Sequence, residues 1–118
     1  HDLDAGDPPE SWGVECVGSP WPHAGVDLAH EPTSGGTGLS IAGHLHPGVR
    51  LGQPGAARAK TAGGRLRAPC FWLHGRCLVL PAFGSFTGLS IASPREGDRI
   101  FAVGAGEVIE VPVVHPVA

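Results

Sequence analysis

Glycine and proline recur throughout this chain and limit what it can fold into. The 118 residues include 19 Gly and 12 Pro, and both residue types disfavour the interior of a helix. Short apolar runs lie between them, at residues 14–17, 26–29, 39–42 and 49–51. Runs of this length are typical of buried strands. The sequence therefore predicts a mostly β structure, with one helical turn starting near Pro8-Pro9.

Two segments have the pattern of antiparallel hairpins. Residues 66–80 carry apolar side chains on both faces, which predicts burial on two sides, as in a layered sandwich. A second pair of strands is expected at residues 99–103 and 107–114, on either side of a glycine-rich turn. Residues 52–64 have no apolar period and are predicted to form a mobile loop. We expect a single partial domain over residues 1–118.

The three cysteines, an odd number, do not make a disulfide framework. If the first hairpin turns at His74-Gly75, Cys70 faces Val79 and Cys77 faces Trp72. The two thiols are then diagonal neighbours, too far apart for an easy disulfide bond. We therefore expect buried free thiols and a reducing, cytoplasmic environment. No apolar stretch approaches the roughly 20 residues needed to cross a bilayer, so no membrane partner is expected.

The net charge of −3 conceals a strong asymmetry along the chain. Residues 1–31 contain seven carboxylates and no Lys or Arg, whereas residues 32–95 contain seven basic side chains and no carboxylate. Such a basic segment attracts polyanions. It is equally the composition of a solvated basic surface, and both interpretations stay open.

The segment Gly43-His44-Leu45-His46-Pro47 is the most informative for chemistry. In an extended backbone its two imidazoles point to the same side, roughly 6.6 Å apart, where each could hold one of two neighbouring metal ions. Gly43 would let the backbone come close to the site, and Pro47 would end the strand. The alternative is a pair of surface histidines on a loop.

Other histidines also lie near the ends of apparent strands, where open sheets usually place their sites. His30 follows the apolar run at residues 26–29, and His1 is followed by Asp2. His23, His74 and His115 have no such setting and are interpreted as loop, turn and tail residues.

These motifs resemble those of the calcineurin-like metallophosphoesterases. His1-Asp2 resembles the end of the third family motif, His30 the fourth, and residues 43–46 the Gly-His-x-His fifth. More narrowly, the chain is similar to the bacterial ligase-associated DNA damage response endonucleases. That similarity is carried by the segments Gly-His-Leu-His-Pro-Gly-Val-Arg-Leu at 43–51, Arg-Ala-Pro-Cys-Phe at 67–71 and Leu-Pro-Ala-Phe-Gly-Ser-Phe-Thr-Gly at 80–88.

The resemblance implies a role for each of these histidines. His30 and His44 would bind one metal ion and His46 the other. His1 would protonate the leaving oxygen or stabilise the charged transition state, and Asp2 would orient it. Two divalent ions are implied, with manganese favoured and iron or zinc as alternatives. From charge and position, Arg50 is a candidate phosphate clamp, with a surface salt bridge as its alternative.

For the fold, the resemblance implies the C-terminal part of an α/β two-sheet sandwich flanked by helices, mostly β in this segment. The family's Asp-x-His pair, bridging Asp and Asn are expected before residue 1. Three histidines cannot replace a carboxylate bridge between two cations, so we expect the isolated chain to have little activity. An incomplete sandwich also predicts uncovered strand edges and self-association.

Three functions stay open at this point. The leading one is a metal-dependent phosphodiester hydrolase, a DNA nuclease of bacterial DNA repair, with DNA as partner and a ligase or helicase association implied only by the family. The second is a small-molecule phosphodiesterase or nucleotidase on the same fold. The third is a non-catalytic module that binds metal ions or anions.

Overall fold

The computed structural model describes residues 6–32, 38–51, 66–84 and 88–113. The proposed loop at 52–64, and His1 and Asp2, lie outside these residues. Within them the only helical element is a 3-10 turn at Glu10–Trp12, directly after the predicted Pro8-Pro9 start. All other regular structure is strand, as the Gly and Pro content predicts.

Nine strands are present in the described ranges. They are β1 (Trp21–His23), β2 (Val26–Ala29), β3 (Ser40–Ala42), β4 (Pro47–Leu51), β5 (Leu66–His74), β6 (Cys77–Val79), β7 (Ser90–Ile91), β8 (Arg99–Gly104) and β9 (Glu107–Val111). Three predicted apolar runs fall in β2, β3 and β4. Residues 14–17 form no strand.

The strands join into one mixed network in the order β1-β2-β3-β6-β5-β4-β7, with β8 paired to β5 and to β9. The strands β2, β3 and β6 are parallel neighbours, and the other pairs are antiparallel except β4 with β7. The long β5 is the centre of this network because it pairs with β4, β6 and β8. The mostly β character of the chain is confirmed, and its strand network is mixed. The strand pairs fall into two groups that share β5, one with β4 and β7 and the other with the remaining strands. Flanking helices are not seen in the described residues.

The core lies on one face of this network. Directly opposed residues on neighbouring strands share a face, and one such row runs Ala42, Val79, Trp72 and Ile100 across β3, β6, β5 and β8. Ala42, Val79 and Ile100 are at most 2% exposed, while Trp72 is half-buried. The opposite face of β5, with Phe71 and Leu73, is only half-buried, so burial on two sides is incomplete.

The first hairpin forms, but its predicted register is wrong. Its turn is Gly75-Arg76, which pairs His74 with Cys77 and Trp72 with Val79. Gly75 takes a φ of 58° at the first turn position, a conformation that suits glycine.

Cys70 instead faces Ala102 on β8. Cys70 and Cys77 are buried free thiols and Cys16 is an exposed free thiol. The expected buried free thiols are confirmed for Cys70 and Cys77, whereas their predicted diagonal arrangement is wrong.

The second hairpin is confirmed, with β8 and β9 joined through Ala105-Gly106. In the described residues β9 pairs only with β8 and exposes Val108 and Ile109, each at 58%. No helix among the described residues is long and apolar enough to span a bilayer.

Candidate functional site

The imidazoles of His30 and His44 lie side by side at one edge of the parallel strands. In the parallel β2–β3 pair Ala29 is opposite Ala42, so the two strands end at the same edge of the sheet. His30 follows β2 directly, and His44 lies two residues beyond β3. Parallel pairing thus brings together two histidines that are 14 residues apart in sequence.

Backbone hydrogen bonds hold this edge together. The Gly43 N–H donates to the His30 carbonyl at 3.1 Å, and the Leu80 N–H donates to the Ala42 carbonyl at 2.8 Å. The His30 N–H donates to the Ser19 hydroxyl oxygen at 3.0 Å. The positions of both histidines are therefore fixed by the backbone around them.

A Cβ atom at residue 43 would not clash with the rest of the described protein. A Cβ at this residue would lie 3.8 Å from the His30 carbonyl oxygen, an ordinary contact distance. The expectation that Gly43 lets the backbone come close to a metal site stays a prediction.

The two rings meet through specific nitrogens. His30 Nε2 is 3.0 Å from His44 Nδ1, and the ring centroids are 4.8 Å apart at a tilt of 60°. The other nitrogen of His44, Nε2, is 3.7 Å from a carboxylate oxygen of Glu31. That distance is too long for a hydrogen bond but close enough for electrostatic attraction to a charged or metal-bound ring.

The loop from Gly43 to His46 is not extended, which corrects the expected i, i+2 arrangement. His44 has a φ of 71°, and the Leu45 N–H donates to the Gly43 carbonyl at 2.8 Å. This closes a γ-turn of the rare, strained type around His44. His46 also has a positive φ, of 48°. Backbone strain at non-glycine residues is concentrated at functional sites.

His46 ends this loop and is held by β7. Its carbonyl accepts a hydrogen bond from the Ser90 N–H at 3.0 Å. Pro47 begins β4 instead of ending a strand, and it is fully buried. Residues 43–46 therefore form the whole connection between β3 and β4.

His30 Nε2 and His44 Nδ1, which are 3.0 Å apart, can both be ligands of the same divalent ion, because metal–imidazole bonds are about 2.0–2.1 Å long. Among the described residues no three His, Cys, Asp or Glu side chains converge on one point. The described residues thus offer a metal ion only a pair of imidazoles, with Glu31 nearby.

Arg50 lies on the exposed part of β4, directly opposite Arg67 of β5. Neither guanidinium makes an ion pair or side-chain hydrogen bond with another described residue. The surface salt bridge considered for Arg50 is therefore not seen in these ranges.

A second cluster, around Asp98, was missed by sequence reasoning. Asp98 is 9% exposed and accepts hydrogen bonds from Trp72 Nε1 at 3.0 Å, His74 Nδ1 at 2.8 Å and the Arg95 N–H at 2.8 Å. Burial alone would raise the pKa of Asp98, but these hydrogen bonds and the His74 charge outweigh it and lower the pKa. The turn-like composition of residues 94–98, which begin with Pro and contain Gly97, was the available sequence signal.

This arrangement, a mixed sheet with paired imidazoles at the carboxyl edge of its parallel strands, is consistent with a fragment of an α/β nuclease fold. The chain is similar to the crystal structure of the nuclease MPE from Pseudomonas putida, with 36% sequence identity and a TM-score of 0.71. The match covers 94% of this chain and 50% of that one, so this chain spans about half the length of its relative. No family model and no curated protein matches the chain.

Proposed function

We propose that this chain carries part of the active site of a metal-dependent nuclease, a phosphodiester hydrolase of the metallophosphoesterase type. The observation that supports it most strongly is the His30–His44 pair, with nitrogens 3.0 Å apart at the carboxyl edge of parallel strands. The likeness to a nuclease over nearly the whole chain supports a nucleic acid as the substrate class. DNA is the proposed substrate, and DNA repair in a bacterial cytoplasm is the proposed setting.

In this proposal His30 Nε2 and His44 Nδ1 bind one divalent ion, and His46 is a ligand of a second. Manganese is preferred, with iron or zinc as alternatives. When bound, such ions polarise a phosphoryl oxygen and lower the pKa of a coordinated water. Glu31 attracts the far side of the His44 ring and helps to fix its orientation.

The roles of His1, Asp2 and Arg50 belong to the same proposal. His1 protonates the leaving oxygen or stabilises the developing charge, and Asp2 orients it. Arg50 binds a phosphate through its planar guanidinium. A ligase or helicase partner rests on the family resemblance alone. Because no three His, Cys, Asp or Glu side chains converge among the described residues, the isolated chain should turn over little bis-nitrophenyl phosphate with manganese.

Metal binding by the isolated chain is the first test. Calorimetric titration with Mn²⁺ or Zn²⁺ should show a site that weakens at least about tenfold in His30→Ala or His44→Ala. His23→Ala is the matched control, since His23 stacks on Trp21 in β1. Equal affinity in all four proteins would contradict the proposed ligands.

Hydrolysis requires the rest of the site and is tested in a chimera. The half of the Pseudomonas putida nuclease MPE that this chain matches is replaced by this chain, and cleavage of a labelled DNA is followed with Mn²⁺. Activity that is lost in His44→Ala and His46→Ala but kept in His23→Ala supports the nuclease. A folded chimera that binds metal without cleaving DNA would favour the non-catalytic module, and one that cleaves only nucleotides would favour the small-molecule enzyme.

A further inference from the structure

Two arginines face each other across neighbouring strands. In the antiparallel pair of β4 and β5, Arg50 is directly opposite Arg67, and both side chains are exposed. Directly opposed residues project from the same face with their Cβ atoms about 4.5–5.5 Å apart. The register therefore places two guanidinium groups within reach of a single ligand.

This pairing is unfavourable for the protein by itself. Like charges directly opposite on neighbouring strands destabilise a sheet, and no described carboxylate forms an ion pair with either arginine. A phosphate offsets the repulsion, because its oxygens accept hydrogen bonds from two guanidinium forks at once. Neither arginine alone would make as favourable a site.

The position of the pair separates it from the imidazoles. Pro47 begins β4 directly after His46, and three strand steps from Pro47 to Arg50 extend about 10 Å. Arg50 and its neighbour Arg67 therefore lie further along β4 than His46 does. This spacing favours a phosphate other than the one held at the imidazole edge.

We propose that Arg50 and Arg67 together bind a non-scissile phosphate of a nucleic-acid strand whose cleaved phosphate lies at the imidazole edge. This deepens the proposed function and rests on it for the identity of the ligand. Both arginines are positioning residues: they set where the strand lies and take no part in bond cleavage.

Binding of a fluorescein-labelled, 20-nucleotide single-stranded DNA tests the proposal, measured by fluorescence anisotropy in EDTA across a range of salt concentrations. We expect Arg50→Ala and Arg67→Ala each to weaken binding about five- to tenfold at low salt. Each should also reduce the slope of log affinity against log salt by about 0.7. Arg95→Ala removes the same charge from an exposed residue elsewhere and is the matched control, with an expected change below about twofold.

Conservative variants separate bidentate binding from charge alone. Arg67→Lys should keep the salt slope but recover only part of the affinity, because an ammonium lacks the planar fork. If an alanine variant does not fold by circular dichroism, Arg50→Gln and Arg67→Gln replace it and keep more of the aliphatic stem. The proposal would be overturned if the double variant that combines Arg50→Ala with Arg67→Ala bound DNA with the same affinity and salt slope as Arg95→Ala.

The result is distinguishable from a failure of the proposed function. DNA binding in EDTA does not involve a metal ion. If the Arg50 and Arg67 variants bind DNA normally, the phosphate site is contradicted, but metal binding at His30 and His44 is not. Conversely, if the chain binds no metal ion but the arginine variants bind DNA more weakly, the phosphate site is supported and the proposed nuclease function is contradicted.

Discussion

Replacing Asp98 tests the role of the buried carboxylate that joins β5 to the start of β8. Its side chain is 4% exposed and accepts hydrogen bonds from Trp72, His74 and the Arg95 backbone. In Asp98→Ala all three donors lose their acceptor. All three hydrogen bonds are part-buried, but the His74 side chain is 42% exposed and can donate to water instead, which leaves the Trp72 and Arg95 donors.

The expected loss follows from these two donors. A buried polar group without a partner costs about 1–3 kcal/mol, so Asp98→Ala should lower the free energy of unfolding by about 2–4 kcal/mol. Asp98→Asn keeps one acceptor oxygen and the side-chain shape, and should lose about 1–2 kcal/mol. Urea unfolding followed by tryptophan fluorescence measures both, since the Trp72 indole donates to Asp98.

The pH dependence gives an independent check. The folded-state pKa of Asp98 is lowered, so the charged form contributes stability that is fully present above the unfolded pKa of about 3.9. That stability is lost as the pH falls through the folded pKa, and Asp98→Asn should flatten this acid-side decline. The reasoning is refuted if Asp98→Ala costs less than about 0.5 kcal/mol, the range of ordinary surface substitutions. Glu110→Gln, at an exposed ion pair with Arg99, is the control and should have the smaller effect.

Two further predictions concern packing and reactivity. A Cβ at Gly48 would lie 3.1 Å from Leu89 Cβ, so Gly48→Ala should cost about 1–3 kcal/mol in urea unfolding; Gly88→Ala, with open space around it, should be near neutral, and equal losses would count against the packing. Burial raises the pKa of the Cys70 thiol to about 11, so iodoacetamide at pH 8 should label exposed Cys16 and leave Cys70 unmodified until urea is added. Mass spectrometry of the labelled protein checks this, and equal labelling of both cysteines in the native state would contradict the burial.

Much of the strand content could be predicted because short apolar runs between Gly and Pro are unlike helices and typical of strands. The runs at 26–29 and 39–42 became β2 and β3, and the Gly-Ala-Gly turn at 104–106 identified the last hairpin. The first hairpin was misplaced by one turn residue, since both candidate turns contain Gly75 and the local sequence favours neither. β5 also pairs with β4 and β8, and these contacts between residues distant in sequence give no local signal for the turn.

The candidate site was predicted less completely. The position of His30 and His44 after strands could be deduced, but the parallel pairing that brings them together depends on contacts distant in sequence. The positive φ of His44 and His46 could not be deduced, because such conformations cost about 1–2 kcal/mol for residues other than glycine and local preference disfavours them. His74 was interpreted as a turn residue because its partner, Asp98, is 24 residues away in sequence.

The Arg50–Arg67 pair illustrates the same limit. Charge counting identified a basic segment, and Arg50 was singled out by its distance from His46. Arg67 gave no such signal, since only the register of β4 with β5 shows that it is directly opposite.

The central claim is that His30 Nε2 and His44 Nδ1 bind one divalent ion. The most direct measurement is ¹⁵N NMR of the chain with ¹⁵N-labelled histidine rings, recorded during titration with Zn²⁺. These two ring nitrogens should move together to metal-bound shifts at one equivalent, while those of His23 stay in place. Saturation with Zn²⁺ that leaves both nitrogens unshifted, or shifts only other histidines, would contradict it.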